Sequence, residues 1–129
     1  MVEVKSYRDL KVWNRAMDLV IMCYRLTSKL PKTEVYGLTS QIQRAAVSIP
    51  ANVAEGKGRH HLGEYIHHLS IANGSLKELE THLLIAERLS YLENSELHPV
   101  FELADEVGKM LNTLIKALKE RQKNLKSNT

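Results

Sequence analysis

The chain has 129 residues, of which 43% are hydrophobic and 26% charged, and its net charge is +3. This composition excludes a disordered chain and a collagen-like one, and the length is typical of one domain spanning residues 1–129. With six glycines and three prolines, the chain has too few turn residues for a β-sandwich, so an all-α fold is expected.

The single cysteine, Cys23, excludes a disulfide within the chain and is typical of a reducing compartment, so a cytoplasmic location is expected. The first six residues have no secretory pattern. The longest nearly apolar stretch, residues 19–24, is too short to cross a bilayer, so no membrane partner is expected.

The first predicted helix runs from Ser6 or Tyr7 to about Lys29. Ser6 is its expected N-cap, Asp9 completes a weak capping box, and the proline after Leu30 ends it. Two adjacent apolar stripes cover more than half of its surface.

A bundle of four helices buries only one stripe of each helix, so one stripe of the first helix needs another partner. We assign this surplus role to the stripe that contains Val12, Leu19, Cys23 and Leu26. The sequence therefore predicts that the chain self-associates.

The second predicted helix follows Thr33, its expected N-cap, and ends at Gly56 or Gly58 in the left-handed conformation. Pro50 lies inside this helix and removes one backbone hydrogen bond, so a kink is expected. A break into two shorter helices is the alternative.

The third and fourth predicted helices have apolar residues that repeat every seven positions. The third runs from residue 62 to about 91 or 92, and the fourth begins after Asn94 or Ser95, tolerates Pro99 in its first turn and frays from Lys126. The repeating positions are Leu62, Leu69, Leu76 and Leu83 in the third helix, and Leu97, Ala104, Leu111, Leu118 and Leu125 in the fourth.

Short connections between the four helices make sequential neighbours antiparallel. The predicted fold is therefore an antiparallel up-down-up-down four-helix bundle. The seven-residue period predicts left-handed packing.

Four segments carry a family resemblance: residues 7–13, 37–42, 44–56 and 72–80. The third contains the specific string Arg-Ala-Ala-Val-Ser-x-x-x-Asn-x-Ala-Glu-Gly. Together they resemble the four-helix-bundle proteins of the 23S rRNA intervening-sequence family over most of the chain, residues 7–118. Some members are encoded within sequences inserted in large-subunit rRNA genes. A related branch, the accessory variability proteins of diversity-generating retroelements, forms pentameric barrels that bind nucleic acid and a reverse transcriptase.

This resemblance implies a four-helix bundle and favours a pentamer among the possible homo-oligomers. It implies no activity, because most members have none established.

Polar residues form one face of the second predicted helix at spacings of three and four. Because a polar face beside small residues must be hydrogen-bonded or paired, it indicates either a network that fixes packing or oligomer register, or a ligand site. Partners are expected on the third helix, at Glu78 or Ser75, or on another subunit. The candidate network residues are Gln41, Arg44, Ser48, Asn52, Glu55 and Glu78.

Charge is distributed unevenly along the chain: residues 60–106 carry two Lys/Arg against nine Asp/Glu, whereas residues 107–129 carry six against one. The predicted topology brings the start of the first helix, the loop between the second and third, and the end of the fourth to one end of the bundle. We expect this basic end to bind nucleic-acid phosphates, with weak sequence preference because aromatic residues are scarce. The candidate contacts are Arg8, Lys11, Arg15, Lys57, Arg59, Lys116, Lys119, Lys123 and Lys126.

Six histidines raise the question of a metal site. Glu64 and His67 have the spacing of carboxylate-bridged di-iron bundles, but no second such pair exists. His61, Glu64 and His68 share a face without supporting ligands, so the histidines are expected to face solvent and no metal or cofactor is predicted. Cys23 lies on an apolar stripe, where a thiol is inert.

No catalytic set of residues is found, so the chain is interpreted as a non-enzyme. Two functions remain open: binding of RNA or DNA through the basic end, or an oligomeric scaffold that recruits a protein partner.

Overall fold

The computed structural model describes residues 4–127, and the regular structure within that range is helical throughout. Two short 3-10 helices, Tyr7–Asp9 and Lys32–Glu34, precede the first and second α-helices. The four α-helices are α1 (Lys11–Thr27), α2 (Leu38–Lys57), α3 (Leu62–Arg88) and α4 (Asn94–Ser127). The predicted all-α, four-helix fold is confirmed.

Each α-helix packs against two others, because α1 and α3 each contact both α2 and α4. Arg15 of α1 pairs with Glu106 of α4, whereas Lys29, just after α1, pairs with Glu96, which lies earlier in α4. From the first pair to the second, the residue numbers rise on the α1 side and fall along α4, which indicates that the two helices are antiparallel. The left-handed packing stays a prediction.

The core follows the predicted seven-residue repeats closely. Two positions depart from the repeat, because Leu62 is only partly buried and Leu125 is 56% exposed. The Gln122 amide lies opposite Gly63 at the start of α3, so Leu125 projects beyond the helix against which α4 packs. The repeat positions that are buried are Leu69, Leu76, Leu83, Leu97, Ala104, Leu111 and Leu118.

Helix α1 is shorter than predicted at both ends. The capping box of Ser6 and Asp9 is present, but it caps the 3-10 helix, and the extended backbone of Leu10 separates this turn from α1. At the other end, the Thr27 hydroxyl donates to the Tyr24 carbonyl at 3.0 Å, and the Ser28 hydroxyl bonds in the same way to the carbonyl of Arg25. These side chains compete with helix continuation before the proline is reached.

The assignment of the two α1 stripes was wrong. The stripe of Val12, Leu19, Cys23 and Leu26 is buried in the core, and burial raises the pKa of Cys23 to about 12. In the other stripe, Trp13 and Val20 are partly buried against the core, whereas Met17 and Tyr24 are exposed. Helical periodicity identifies two apolar faces but does not say which one meets the bundle.

Helix α2 begins later than predicted, and Thr33 is not its N-cap. Gly37 occupies the N-cap position, and a Glu34 carboxylate oxygen accepts from the Leu38 backbone N–H at 3.2 Å. The helix continues through Pro50 as one element, so the break into two helices is wrong. The predicted left-handed glycine is also absent, since Gly58 has φ −80°.

Helix α3 ends at Arg88, three residues before the predicted end, in a left-handed turn. Ser90 has φ 63°, and the backbone N–H groups of Ser90 and Tyr91 donate to the carbonyls of Glu87 and Ala86. This pattern is a Schellman motif with serine where glycine is usual. Fraying from Lys126 is not seen through Ser127, the last described residue, and Asn128 and Thr129 lie outside the described residues.

Two helical glycines have opposite surroundings, which generates a test. A Cβ at Gly56 would lie 2.9 Å from the Cβ of His68, whereas one at Gly74 would meet nothing within 4 Å. Gly56→Ala should therefore lower the free energy of unfolding by about 1–3 kcal/mol through overpacking. Gly74→Ala should raise it by up to about 1 kcal/mol, because alanine is the better helix former.

Urea denaturation of both variants beside the wild type measures these changes. Equal effects of the two substitutions would contradict the close approach of α2 and α3 at Gly56.

Candidate nucleic-acid interface and polar network

A chain of polar contacts connects α2 to α3. The hydroxyls of Ser48 and Ser75 lie 2.8 Å apart, and the Asn52 amide nitrogen donates to the Ser48 hydroxyl at 3.0 Å and to its carbonyl at 2.9 Å. The Asn52 side-chain oxygen lies 3.1 Å from Nδ1 of His68. Four side chains from two helices thus satisfy one another within a largely apolar interface, which fixes the register of α2 against α3.

The tautomer of His68 follows from this arrangement. Because the Asn52 amide nitrogen is used on Ser48, its oxygen must accept, and Nδ1 of His68 must carry the proton. Nε2 then faces Glu55, whose carboxylate lies 3.9 Å away and also accepts from Arg59 at 2.7 Å. The His68 side chain is 15% exposed, so the expectation that the histidines face solvent is wrong here.

The predicted polar face divides into two parts. Ser48, Asn52 and Glu55 belong to the network, whereas Gln41 and Arg44 are exposed and their side chains form no hydrogen bond or ion pair within residues 4–127. Glu78 does not reach α2; its carboxylate lies 3.9 Å from His82 on its own helix. The sequence analysis missed His68 as a member of the network. Its spacing of seven residues from Ser75 could have identified it, because residues seven apart lie on the same face of α3.

Arg15, one of the predicted phosphate contacts, is paired with two carboxylates of the protein itself. Its guanidinium donates twice to the Glu106 carboxylate, at 2.9 and 3.2 Å, and once to Asp18 at 2.8 Å. This pairing holds the pKa of Glu106 below its usual value. A guanidinium held by two carboxylates is not available to a phosphate, so Arg15 is a structural cation.

Other predicted basic residues lie at one end of the bundle, with different surroundings. The Lys57 ammonium is 6.0 Å from the centre of the Tyr65 ring, Arg59 pairs with Glu55, and Lys11 adds to the charges that lower the pKa of Glu106. Arg8 extends over the Tyr7 ring at 5.8 Å. Their charges are therefore partly engaged by the protein itself.

The loop between α2 and α3 contacts the last turns of α4. One shallow pocket lies between His60 and His61 of the loop and Gln122 and Lys126 of α4. A second depression adjoins it along α4 and is lined by Lys119, Gln122, Lys123, Lys126 and Ser127. The α2–α3 loop and the last turns of α4 therefore lie at the same end of the bundle, as predicted.

The exposed lysines of α4 lie beside these depressions. Lys116, Lys119 and Lys123 are exposed, and none of the three forms an ion pair within residues 4–127. In the same part of the chain, no group of three or more His, Cys, Asp or Glu side chains could hold a metal ion.

A family model described as 23S rRNA-intervening sequence protein matches residues 8–113. The chain belongs to this family. Among curated proteins, none matches the chain. A solved structure of a protein of unknown function from the S23 ribosomal protein family of Bacteroides thetaiotaomicron is similar to 81% of this chain and 98% of its own, with a TM-score of 0.76. At 24% identity, this similarity shows a shared fold.

The family match ends before the lysine-rich part of α4. Residues 8–113 include Arg8, Lys11, Lys57 and Arg59, whereas the α4 lysines from Lys116 onward lie outside the match. The chain therefore carries its densest basic segment outside the matched region. Within residues 4–127, no helix is long and apolar enough to cross a membrane.

The polar network predicts an asymmetry between two residues of the same face of α2. Asn52→Ala should lower the free energy of unfolding by about 1–3 kcal/mol, because it leaves Nδ1 of the half-buried His68 without a partner and removes one of the two contacts of the Ser48 hydroxyl. Gln41→Ala, on the exposed part of the face, should change it by less than about 0.5 kcal/mol. Urea denaturation measures the free energy of unfolding of both variants. Equal destabilisation by the two substitutions would contradict the hydrogen-bond network described above.

Proposed function

We propose that this protein is a non-enzymatic nucleic-acid-binding protein whose basic end contacts phosphates. The basic end comprises the 3-10 helix Tyr7–Asp9, the loop between α2 and α3, and the last turns of α4. The observation that carries the proposal is the exposed face of Lys116, Lys119 and Lys123, whose charges no carboxylate neutralises within residues 4–127.

The geometry of α4 supports contact with a charged backbone. Lys116, Lys119 and Lys123 recur at spacings of three and four residues, so they share one helical face over about 10 Å. Phosphates follow one another at comparable distances along a nucleic acid, so one helix face meets several of them. Such contacts carry no sequence information directly, and binding is expected to depend on charge and shape.

Two of the acidic side chains near this end are held by the protein itself. Asp9 accepts the backbone N–H groups of Lys5 and Ser6, and Glu55 is held by Arg59. These two carboxylates oppose an approaching phosphate less than free carboxylates would, whereas Glu64 and Glu120 are exposed and form no ion pair within residues 4–127.

A triple charge reversal tests the basic end. Replacing Lys116, Lys119 and Lys123 by Glu should abolish binding to RNA and DNA at low salt and leave the helical content unchanged, because these positions lie off the buried seam. Fluorescence anisotropy with labelled RNA and DNA measures the affinity. For the wild type, the affinity should fall steeply as salt rises, because neutralised phosphates release counterions.

The matched control reverses three exposed cations at the opposite end of the bundle. Arg25→Glu, Lys32→Glu and Arg88→Glu change the net charge by the same amount and should preserve most of the affinity. If the two triple variants lost affinity to the same extent, binding would depend on the net charge alone. Absence of binding by the wild type at low salt would overturn the proposal.

A scaffold that self-associates is the second candidate, and it rests on an exposed apolar stripe of α3. Ile71, Ile85 and Leu89 share one outward face, which the exposed Glu78 interrupts, and are 38%, 42% and 51% exposed. Gly74 lies on the same face with open space above it, which would allow a second helix to approach closely. We propose that this outer stripe of α3 contacts another copy of the chain.

The resemblance to pentameric proteins favours a pentamer. A closed ring requires the outer stripe of α3 to meet a different surface of the next copy, whereas contact between two identical stripes stops at a dimer. The mass in solution therefore distinguishes these two arrangements.

Light scattering of a charged variant tests this surface. Ile71→Asp combined with Ile85→Asp should reduce the mass to that of one chain, because a carboxylate buried in an apolar contact is costly. Asn112→Asp, an exposed position on α4, is the control and should leave the mass unchanged. A wild type that is monomeric at micromolar concentration would contradict the scaffold.

A further inference from the structure

An aromatic pair stands at the edge of the basic end. The rings of Tyr7 and Trp13 meet edge to face, with centroids 5.2 Å apart, and both side chains are partly exposed. They border a shallow groove between α1 and α2 whose floor includes Pro50, Ala51 and Ala54. The exposed side chains of Met17 and Val47 also line this groove.

Cations flank this pair. The Arg8 guanidinium lies 5.8 Å from the centre of the Tyr7 ring, and neither Arg8 nor Lys5 forms a side-chain ion pair within residues 4–127. Glu55, which also borders the groove, is held by Arg59. The lining of the groove itself is apolar apart from Glu55, and the positive charge lies beside Tyr7, at the edge of the aromatic pair.

We propose that Tyr7 and Trp13 form a stacking platform for unpaired bases, so that the ligand of the basic end is single-stranded nucleic acid. This inference rests on the proposed nucleic-acid binding and adds the class of strand. Aromatic side chains beside a cationic track are the usual means of holding single strands, since every base has a π-face. The bases of a duplex are stacked on one another and cannot reach such a platform.

The aromatic pair also corrects the expectation drawn from composition. Only seven residues are aromatic, and Trp13 reads in the sequence as part of an apolar stripe. The extended Leu10 between the 3-10 helix and α1 folds Tyr7 back onto Trp13. Two of the seven aromatic residues are thereby concentrated next to the basic end.

Trp13 is the single tryptophan, so its fluorescence reports directly on the platform. Titration with oligothymidylate should quench or shift Trp13 emission as a base stacks on the ring. A DNA duplex with the same number of phosphates should bind through the lysines and leave the emission unchanged. The measurement uses the wild-type chain, so it does not depend on any variant folding.

A tyrosine variant separates stacking from charge. Tyr7→Leu should weaken oligothymidylate binding at least about fivefold and leave duplex binding unchanged. Tyr24→Leu, an exposed tyrosine of α1 toward the opposite end, is the matched control and should change neither. Anisotropy with labelled strands measures both affinities, and circular dichroism checks the fold.

The outcomes distinguish this inference from the proposed function. Salt-dependent binding that requires Lys116, Lys119 and Lys123 but leaves Trp13 emission and the Tyr7→Leu affinity unchanged would overturn the platform and keep the basic end. Emission that changes with protein concentration alone would make the groove a contact between copies, which also overturns it. No binding of any strand at low salt would remove the proposed function itself.

Discussion

The register between α2 and α3 is the constraint on which the rest of the structure depends. Gly56 brings the two helices so close that a Cβ there would clash with His68, and the contacts among Ser75, Ser48, Asn52 and His68 allow one alignment. Apolar packing alone tolerates small shifts along a helix, whereas a chain of hydrogen bonds inside an interface does not. This alignment places the α2–α3 loop at the end of the bundle reached by α4.

Cations near the same end of the chain have different roles because their surroundings differ. Arg15 is held by two carboxylates and joins α1 to α4, while Arg59 closes the network at Glu55. Lys116, Lys119 and Lys123 lie where α4 runs beyond the start of α1, and no acidic residue of a neighbouring helix pairs with them in the described range. The lysines are therefore the charges left for a partner.

The lysine-rich end of α4 lies outside the family match. α4 has 34 residues against 17 in α1, so it continues past the region where all four helices pack together. The family match ends at residue 113, inside α4 and before Lys116. The bundle thus supplies the framework, and the exposed extension supplies most of the charge that the proposed nucleic-acid binding uses.

The sequence by itself determined the helices and most of the core. Seven-residue repeats of leucine and alanine identify buried positions such as Leu76 and Leu111, because each helix must hide one face from water. Its errors lie at helix ends: Thr33 was predicted as the N-cap of α2, and a left-handed glycine was predicted at the end of α2, whereas the left-handed residue is Ser90 at the end of α3.

The tertiary structure alone decided which of two apolar faces of α1 is buried, and which polar residues meet. Periodicity gives the same pattern for a face that packs inside and one that stays outside, so Val12 and Tyr24 could not be told apart. The partners of Arg15 and Asn52 lie on other helices, at separations along the chain that no local pattern encodes. Side-chain contacts between helices depend on register and rotation, which are set only when all four helices pack together.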